Sequence, residues 1–266
     1  MMKVLRQTVL LGALAAAAVS ARAASLPVAN FSFEEPPIDP IENPFLAVPV
    51  AISWIEVDLD SYYSSNTGVF RNTEPNSFDH IVNAHGAQLA FLNTMSGNGF
   101  LQQIPSPFQV GRSYLLLVDV CPSTWYPPRA EEPVDYLSIS FYTGADANDF
   151  ITTLVPGSEI IPNYLRTFRL YLPTVQPTDP WAGKDIGIAL RAVGEAGGYW
   201  DLDNVRVFEY VSSPDLTGDG IVNLADFAVL SSEWFQETAL ESDLTGDGFV
   251  DLEDLIFLTD MWLEML

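Results

Sequence analysis

The sequence predicts a mainly β chain, a jelly-roll β-sandwich over residues 24–211 followed by a small all-α module over 212–266. Three observations carry this expectation. Short apolar or alternating runs recur through the middle of the chain, each bounded by Gly, Pro, Asn or Asp, which is the punctuation of sandwich strands. Helical periodicity is hard to find in that stretch. Near the C-terminus a twelve-residue string occurs twice, and each copy leads into apolar residues at helical spacing.

In chain order, Met1–Ala23 reads as a secretory leader. Lys3 and Arg6 form its charged start, Val9–Val19 is rich in Leu and Ala, and Ala21-Arg22-Ala23 fits a small-residue cleavage site. The apolar run is too short for a membrane span, and no other stretch is long enough. The expected location is extracellular, secreted or at the cell surface. The single Cys121 cannot form an internal disulfide and lies in the apolar run Tyr114–Cys121, where a small core residue is expected rather than a catalytic thiol.

Strand candidates follow at 52–57, 67–71, 87–93, 99–104, 113–121, 135–142, 164–172, 185–192 and 198–209. Proline stands mostly between them, as strand interiors require. Val211-Ser212-Ser213-Pro214 reads as a linker.

The tail begins with Asp215, Thr217, Asp219, Asn223 and Asp226, side-chain oxygens at positions 1, 3, 5, 9 and 12 of a loop with Gly220 at position 6. The second copy places Asp243, Thr245, Asp247, Asp251 and Asp254 at the same positions, 243 − 215 = 28 residues on. This spacing wraps oxygens around one point, and Ile221 and Phe249 at position 7 would add backbone carbonyls. The expectation is two EF-hand-type loops, each with one Ca2+. Thr at position 3 and Asp rather than Glu at position 12 depart from the usual ligands. Leu224, Phe227, Leu230 and Trp234 follow the first loop at helical spacing; Leu252, Leu255, Leu258 and Trp262 follow the second. From Ser212 onward there are 13 acidic residues and no Lys or Arg, so metal is expected to relieve charge repulsion.

This paired loop–helix arrangement over 212–266 resembles the type I dockerin. The resemblance implies calcium-dependent folding and docking onto a cohesin-like domain or a cell-surface protein. The docking positions would be 10 and 11 of each loop, here Leu224-Ala225 and Leu252-Glu253. The family often has a Ser/Thr pair there, so the partner is less secure than the metal. A calcium-stabilised end cap with no partner is the alternative.

Four further motifs carry a second resemblance. They are Asn30-Phe31-Ser32-Phe33-Glu34, Gly86-Ala87-Gln88-Leu89-Ala90-Phe91-Leu92, Phe100-Leu101-Gln102-Gln103-Ile104 and Tyr199-Trp200-Asp201-Leu202-Asp203-Asn204-Val205. Their order is similar to jelly rolls of the carbohydrate-binding-module type. That resemblance implies a structural calcium joining the first and last strands, with Glu34 and Asp203 as ligands. The alternative leaves Glu34 exposed and Asp203 in a turn. It also implies a polysaccharide ligand, for which loop aromatics Trp125, Tyr126 and Trp181 are the candidates; Trp200, alternating with Asp201, is expected in the core.

The balance of 11 basic against 35 acidic residues, a net charge of −24, excludes nucleic acid and anionic membrane surfaces as partners. No nucleophile elbow, phosphate-binding glycine loop or metalloprotease helix motif is present, and His80 and His85 have no catalytic spacing. The expected function is that of an exported, non-catalytic calcium protein whose sandwich binds glycan and whose tail attaches it. A glycoside hydrolase or lyase, or another calcium-dependent sandwich enzyme such as a cyclase, is one alternative. A structural surface protein without ligand is the other.

Overall fold

In a computed structural model of the chain, the described residues are 24–39, 47–57, 66–94, 97–128, 135–144, 148–156, 161–194, 198–210, 213–236, 241–244 and 249–263. The leader at 1–23 lies outside them, as do Thr245 and Asp247 of the second loop.

The chain is mainly β, with two antiparallel sheets and two short helices. The strands are β1 (Ala24–Leu26), β2 (Ala47–Val48), β3 (Ile55–Val57), β4 (Thr67–Arg71), β5 (Gln88–Asn93) and β6 (Gly99–Pro107). They continue with β7 (Ser113–Pro122), β8 (Tyr136–Thr143), β9 (Asn148–Pro156), β10 (Arg166–Leu172), β11 (Asp185–Val193) and β12 (Tyr199–Tyr210). The larger sheet runs β10-β7-β12-β5-β4-β2, with β1 added beside the C-terminal half of β12. The smaller runs β3-β6-β11-β8-β9. Every expected strand segment holds a strand. β1 and β2 are too short to give a pattern, and β9 is an edge strand that the Asp- and Asn-rich stretch before it concealed.

β7 explains the layering. All ten of its residues are buried, although a strand facing solvent on one side would alternate. Leu116, Val118 and Val120 point between the sheets into the main core, which Phe100, Ile139 and Ile188 fill from the smaller sheet. Leu115 and Leu117 point outward and are covered by the C-terminal module. Cys121, also outward, is covered by Ile81 and Leu165 from two long connections. β12 runs antiparallel beside β7 and repeats this division: Trp200, Leu202, Val205 and Val207 face the main core. A bulge between Asp203 and Arg206, with Asn204 at φ 53°, resets the alternation midway along the strand.

The tail contains the two expected helices, α1 (Leu224–Ser232) and α2 (Leu252–Asp260). They are held as a reciprocal pair, Phe235 N–H donating to the Val250 carbonyl and Leu263 N–H to the Val222 carbonyl, each at 2.8 Å. The helix pair packs on the sheet, with Val222, Leu230, Phe257 and Leu258 against Leu115, Leu117 and Tyr171. The Phe257 ring lies on Tyr210 at 3.5 Å between centroids, 6° from parallel.

The expected calcium loops are also corrected. In the first, Asp215 accepts from Gly218 and Gly220 N–H at 2.8 Å, Asp219 from Ile221 N–H at 3.0 Å, and Asn223 from Ala225 N–H at 2.8 Å. Asp226 is fully buried and takes the amides of Thr217 and Asn223; burial opposes its charge, but these hydrogen bonds outweigh it and hold its carboxyl below the usual range. The Ile221 carbonyl accepts from the Asn223 side chain. In the second loop Asp251 and Asp254 form the matching capping box. The oxygens read as ligands serve as helix caps and turn acceptors. Among the described residues no three His, Cys, Asp or Glu side chains gather where they could hold a metal ion.

Candidate functional site

Beyond the bulge, the outer face of the larger sheet turns aromatic. Tyr199 and Asp201 point outward from β12, because their neighbours Trp200 and Leu202 point inward. With Phe70 of β4 and Phe91 of β5 they form the base of a cavity of about 500 Å³. Arg71 at the end of β4, Thr73, Asp79 and Ile81 from the connection after it, and Ser123, Thr124, Trp125 and Tyr126 from the connection after β7, supply its walls.

Two sets of contacts hold those walls. Tyr199 N–H donates to the Tyr126 carbonyl at 2.7 Å, and Ser123 N–H to the Tyr199 carbonyl at 3.0 Å, so the second wall is pinned to β12. Asn163 joins the two connections: it accepts from the Thr124 hydroxyl, its amide donates to the Phe78 carbonyl at 2.6 Å, and its own carbonyl accepts from Val82 N–H at 3.0 Å. At the mouth the Trp125 indole N–H donates to Asp79 at 3.1 Å, and Phe78 meets the Trp125 ring edge-on at 4.9 Å. Trp125, Tyr126 and Phe78 are each more than 60 % exposed, at 62 %, 66 % and 69 %. Such a patch beside a cavity is a ligand entrance rather than ordinary surface.

Asp201 decides the chemistry. It is 5 % exposed, and burial pushes its carboxyl well above the usual carboxylate range. Among the described residues no salt bridge reaches it to reverse this. Burial thus favours the neutral form of this carboxyl, the form able to give a proton. The Cys121 thiol beside it is also pushed up, chiefly by burial, so it stays a thiol and fills space.

Glu34 and Asp203 are brought to one turn, but as anchors. Glu34 accepts from Ala87 and Gln88 N–H at 2.9 and 2.8 Å, while Asp203 accepts from His85 N–H at 2.6 Å and Asn204 N–H at 2.7 Å. Burial pushes Asp203 up to about 8 against those two hydrogen bonds, with Asp119 and Glu34 adding to the rise. Both carboxylates fasten the turn that leads from the cavity wall into β5. Trp125 and Tyr126 line the cavity, whereas Trp181 is absent from its lining and packs against the main core. Leu224, Ala225, Leu252 and Glu253 are exposed at the helix starts and take no part in the cavity.

The family model of the HpiC1 cyclase matches residues 24–208. The chain belongs to the HpiC1-like cyclase family. No curated protein matches it. Among solved structures, the HpiC1-like chain is similar to a Stig cyclase from Fischerella sp. TAU in complex with (3Z)-3-(1-methyl-2-pyrrolidinylidene)-3H-indole. Identity is 20 %, the match covers 72 % of this chain and 100 % of that one, and the TM-score is 0.57. A cyclase from the same source in complex with 4-(1H-indol-3-yl)butan-2-one gives 21 %, 72 %, 100 % and 0.57.

These matches overturn the resemblances drawn from the sequence. The sandwich belongs with cyclases, not carbohydrate-binding modules; a xylan-binding module reaches a TM-score of only 0.38, too low to carry an argument. The family match ends at residue 208, and no dockerin match covers the HpiC1-like chain's tail. The expected glycan-binding function, polysaccharide ligand, cohesin-like or cell-surface partner and calcium pair fall together. The short motifs behind those resemblances belong to sandwich packing: Trp200 and Leu202 are core, and Gln88 and Gln102 bond the backbone of the chain's opening segment.

Proposed function

We propose that the aromatic cavity is the active site of a cyclase in which Asp201 is the general acid. A neutral Asp201 transfers its proton to an electron-rich carbon of a small unsaturated substrate, leaving a carbocation on the substrate and a carboxylate on the enzyme. The faces of Phe70, Phe91 and Tyr199 favour that cation. An intramolecular carbon–carbon double bond or aromatic ring supplies the electron pair that closes the new ring. Loss of a proton to the Asp201 carboxylate then restores both the substrate's neutrality and the acid. The reaction is an isomerisation, needing no oxidant and no second substrate. The observation that carries this reading is a buried carboxyl, its pKa raised by burial, at the base of an aromatic-lined cavity of about 500 Å³, a size suited to a small molecule.

The substrate class we favour is an indole bearing an unsaturated side chain, in keeping with the indoles held by the similar cyclases. The test has two stages. Titration with 4-(1H-indol-3-yl)butan-2-one should change the fluorescence of Trp125 at the mouth, and Trp125→Phe should lose most of that change. Indoles with an alkenyl side chain, incubated in deuterium oxide, should then yield cyclic isomers with one deuterium on carbon. Absence of both binding and cyclic product across such a panel would defeat the reading.

We further propose that Met1–Ala23 exports the chain and that residues 24–211 and 212–266 form its two units, supported by the charged, apolar and small-residue order of the leader. The mass of the chain recovered from the medium would check removal of the leader after Ala23.

A further inference from the structure

We propose that the cavity takes a substrate that carries a carboxylate, held by Arg71 while the substrate's aromatic part lies over Asp201. This rests on the cyclase reading and narrows its substrate class.

Cations are scarce in this chain, 11 against 35 acidic residues, so one in the cavity is not there by abundance. Arg71 closes β4 and lines the cavity next to Phe70. Other arginines are occupied: Arg112 pairs with Glu209, Arg206 with Asp119, and Arg166 lies over the Phe168 ring. Among the described residues the Arg71 guanidinium has no ion pair, hydrogen bond or ring contact. The two acidic side chains in the lining do not compensate it. Asp79 takes the Trp125 indole N–H, and among the described residues neither it nor Asp201 makes an ion pair with Arg71. A half-buried charge without a counterion is costly, and a bound anion would remove that cost.

Arg71 thus gives one side of the cavity a planar fork of donors. The fork matches the two oxygens of a carboxylate. Against a net charge of −24, an anionic substrate gains nothing from general attraction, so its recognition must be local.

Two probes isolate the carboxylate. Indole-3-propanoate and 4-(1H-indol-3-yl)butan-2-one share a skeleton and differ in carrying a carboxylate or a methyl ketone at its end. Calorimetric titration of the full-length protein should give at least about tenfold tighter binding of the propanoate, the range of a charge-assisted hydrogen bond. Arg71→Gln should remove that preference and leave the ketone's affinity within about twofold, which also shows the variant is folded. Arg71→Lys should retain part of the preference, since it keeps the charge and loses the fork. Equal or tighter binding of the ketone by the unmodified protein would overturn the proposal, as would an Arg71→Gln variant that still prefers the propanoate. If Arg71→Gln binds neither probe, the lysine variant decides: loss of the preference there overturns the proposal too. Failure of the unmodified protein to bind either probe would instead remove the cavity reading on which the proposal stands.

Discussion

Asp201→Asn is expected to lose cyclisation by about 10²- to 10⁴-fold, the range of a general acid, while the chain remains folded. Asparagine has nearly the same shape and cannot give up a proton at any useful rate. The pH dependence follows from the direction of the shift. Burial raises the folded-state pKa of Asp201, so the active, protonated form persists to higher pH than for a free carboxyl, and activity falls as pH rises through the raised value. Stability follows the same group. Once the unfolded carboxyl ionises, above about pH 4, the folded state binds the extra proton, and stability declines with rising pH until the folded carboxyl also ionises. Asp201→Asn removes that decline. The variant should therefore be inactive yet more resistant to denaturant than the unmodified protein at pH 7, with the two curves converging towards pH 4. Asp203, pushed up to about 8, contributes a decline of the same sign between about pH 4 and 8, and it persists in the variant. Urea titrations at several pH values separate the two. A variant that is inactive and also less stable at neutral pH would mean Asp201 is a structural carboxylate.

Phe257→Ala is expected to loosen the tail from the sandwich. The ring lies flat on Tyr210 and is 3 % exposed, in a cluster with Leu115, Leu117 and Tyr171 from the sheet. Truncating it leaves a cavity at the junction and costs about 3–5 kcal/mol of the tail's attachment. Limited proteolysis should then cut near residues 211–212, between β12 and the tail, at least about tenfold faster. The indole cavity lies at the other end of the outer face, so ketone binding should be unchanged. Unaltered proteolysis would mean that the contact with Tyr210 adds little and that the helix pair is held by its own hydrogen bonds.

The strands were legible because their burial is one-sided or complete, and either pattern leaves a run of apolar residues between turn formers. β9 escaped because it is an edge strand that begins in an Asp- and Asn-rich stretch of sequence. The tail helices were legible from Leu224, Leu230, Leu252 and Leu258. Their docking on the sheet was not, because Leu115 and Leu117 look like ordinary core residues in the continuous apolar run Tyr114–Val118. The loop oxygens misled for a related reason: a spacing that could wrap a cation also caps a helix, and the sequence does not distinguish an Asp bound to metal from one bound to amides. Asp201 is legible in the sequence as the charged residue alternating with Trp200 and Leu202. That alternation places Trp200 in the core but carries no sign of what covers the carboxylate. Only the fold shows that the connections after β4 and β7 close over it, which turns a solvent-facing position into a dry one.

The central claim is that Asp201 is protonated in its cavity at neutral pH. The infrared difference spectrum between the unmodified protein and Asp201→Asn at pH 7 measures this without any substrate. A carboxylic-acid C=O band that is lost in the variant and persists above pH 7 is the expected result. A carboxylate band in its place would show an ionised Asp201, unable to start the reaction.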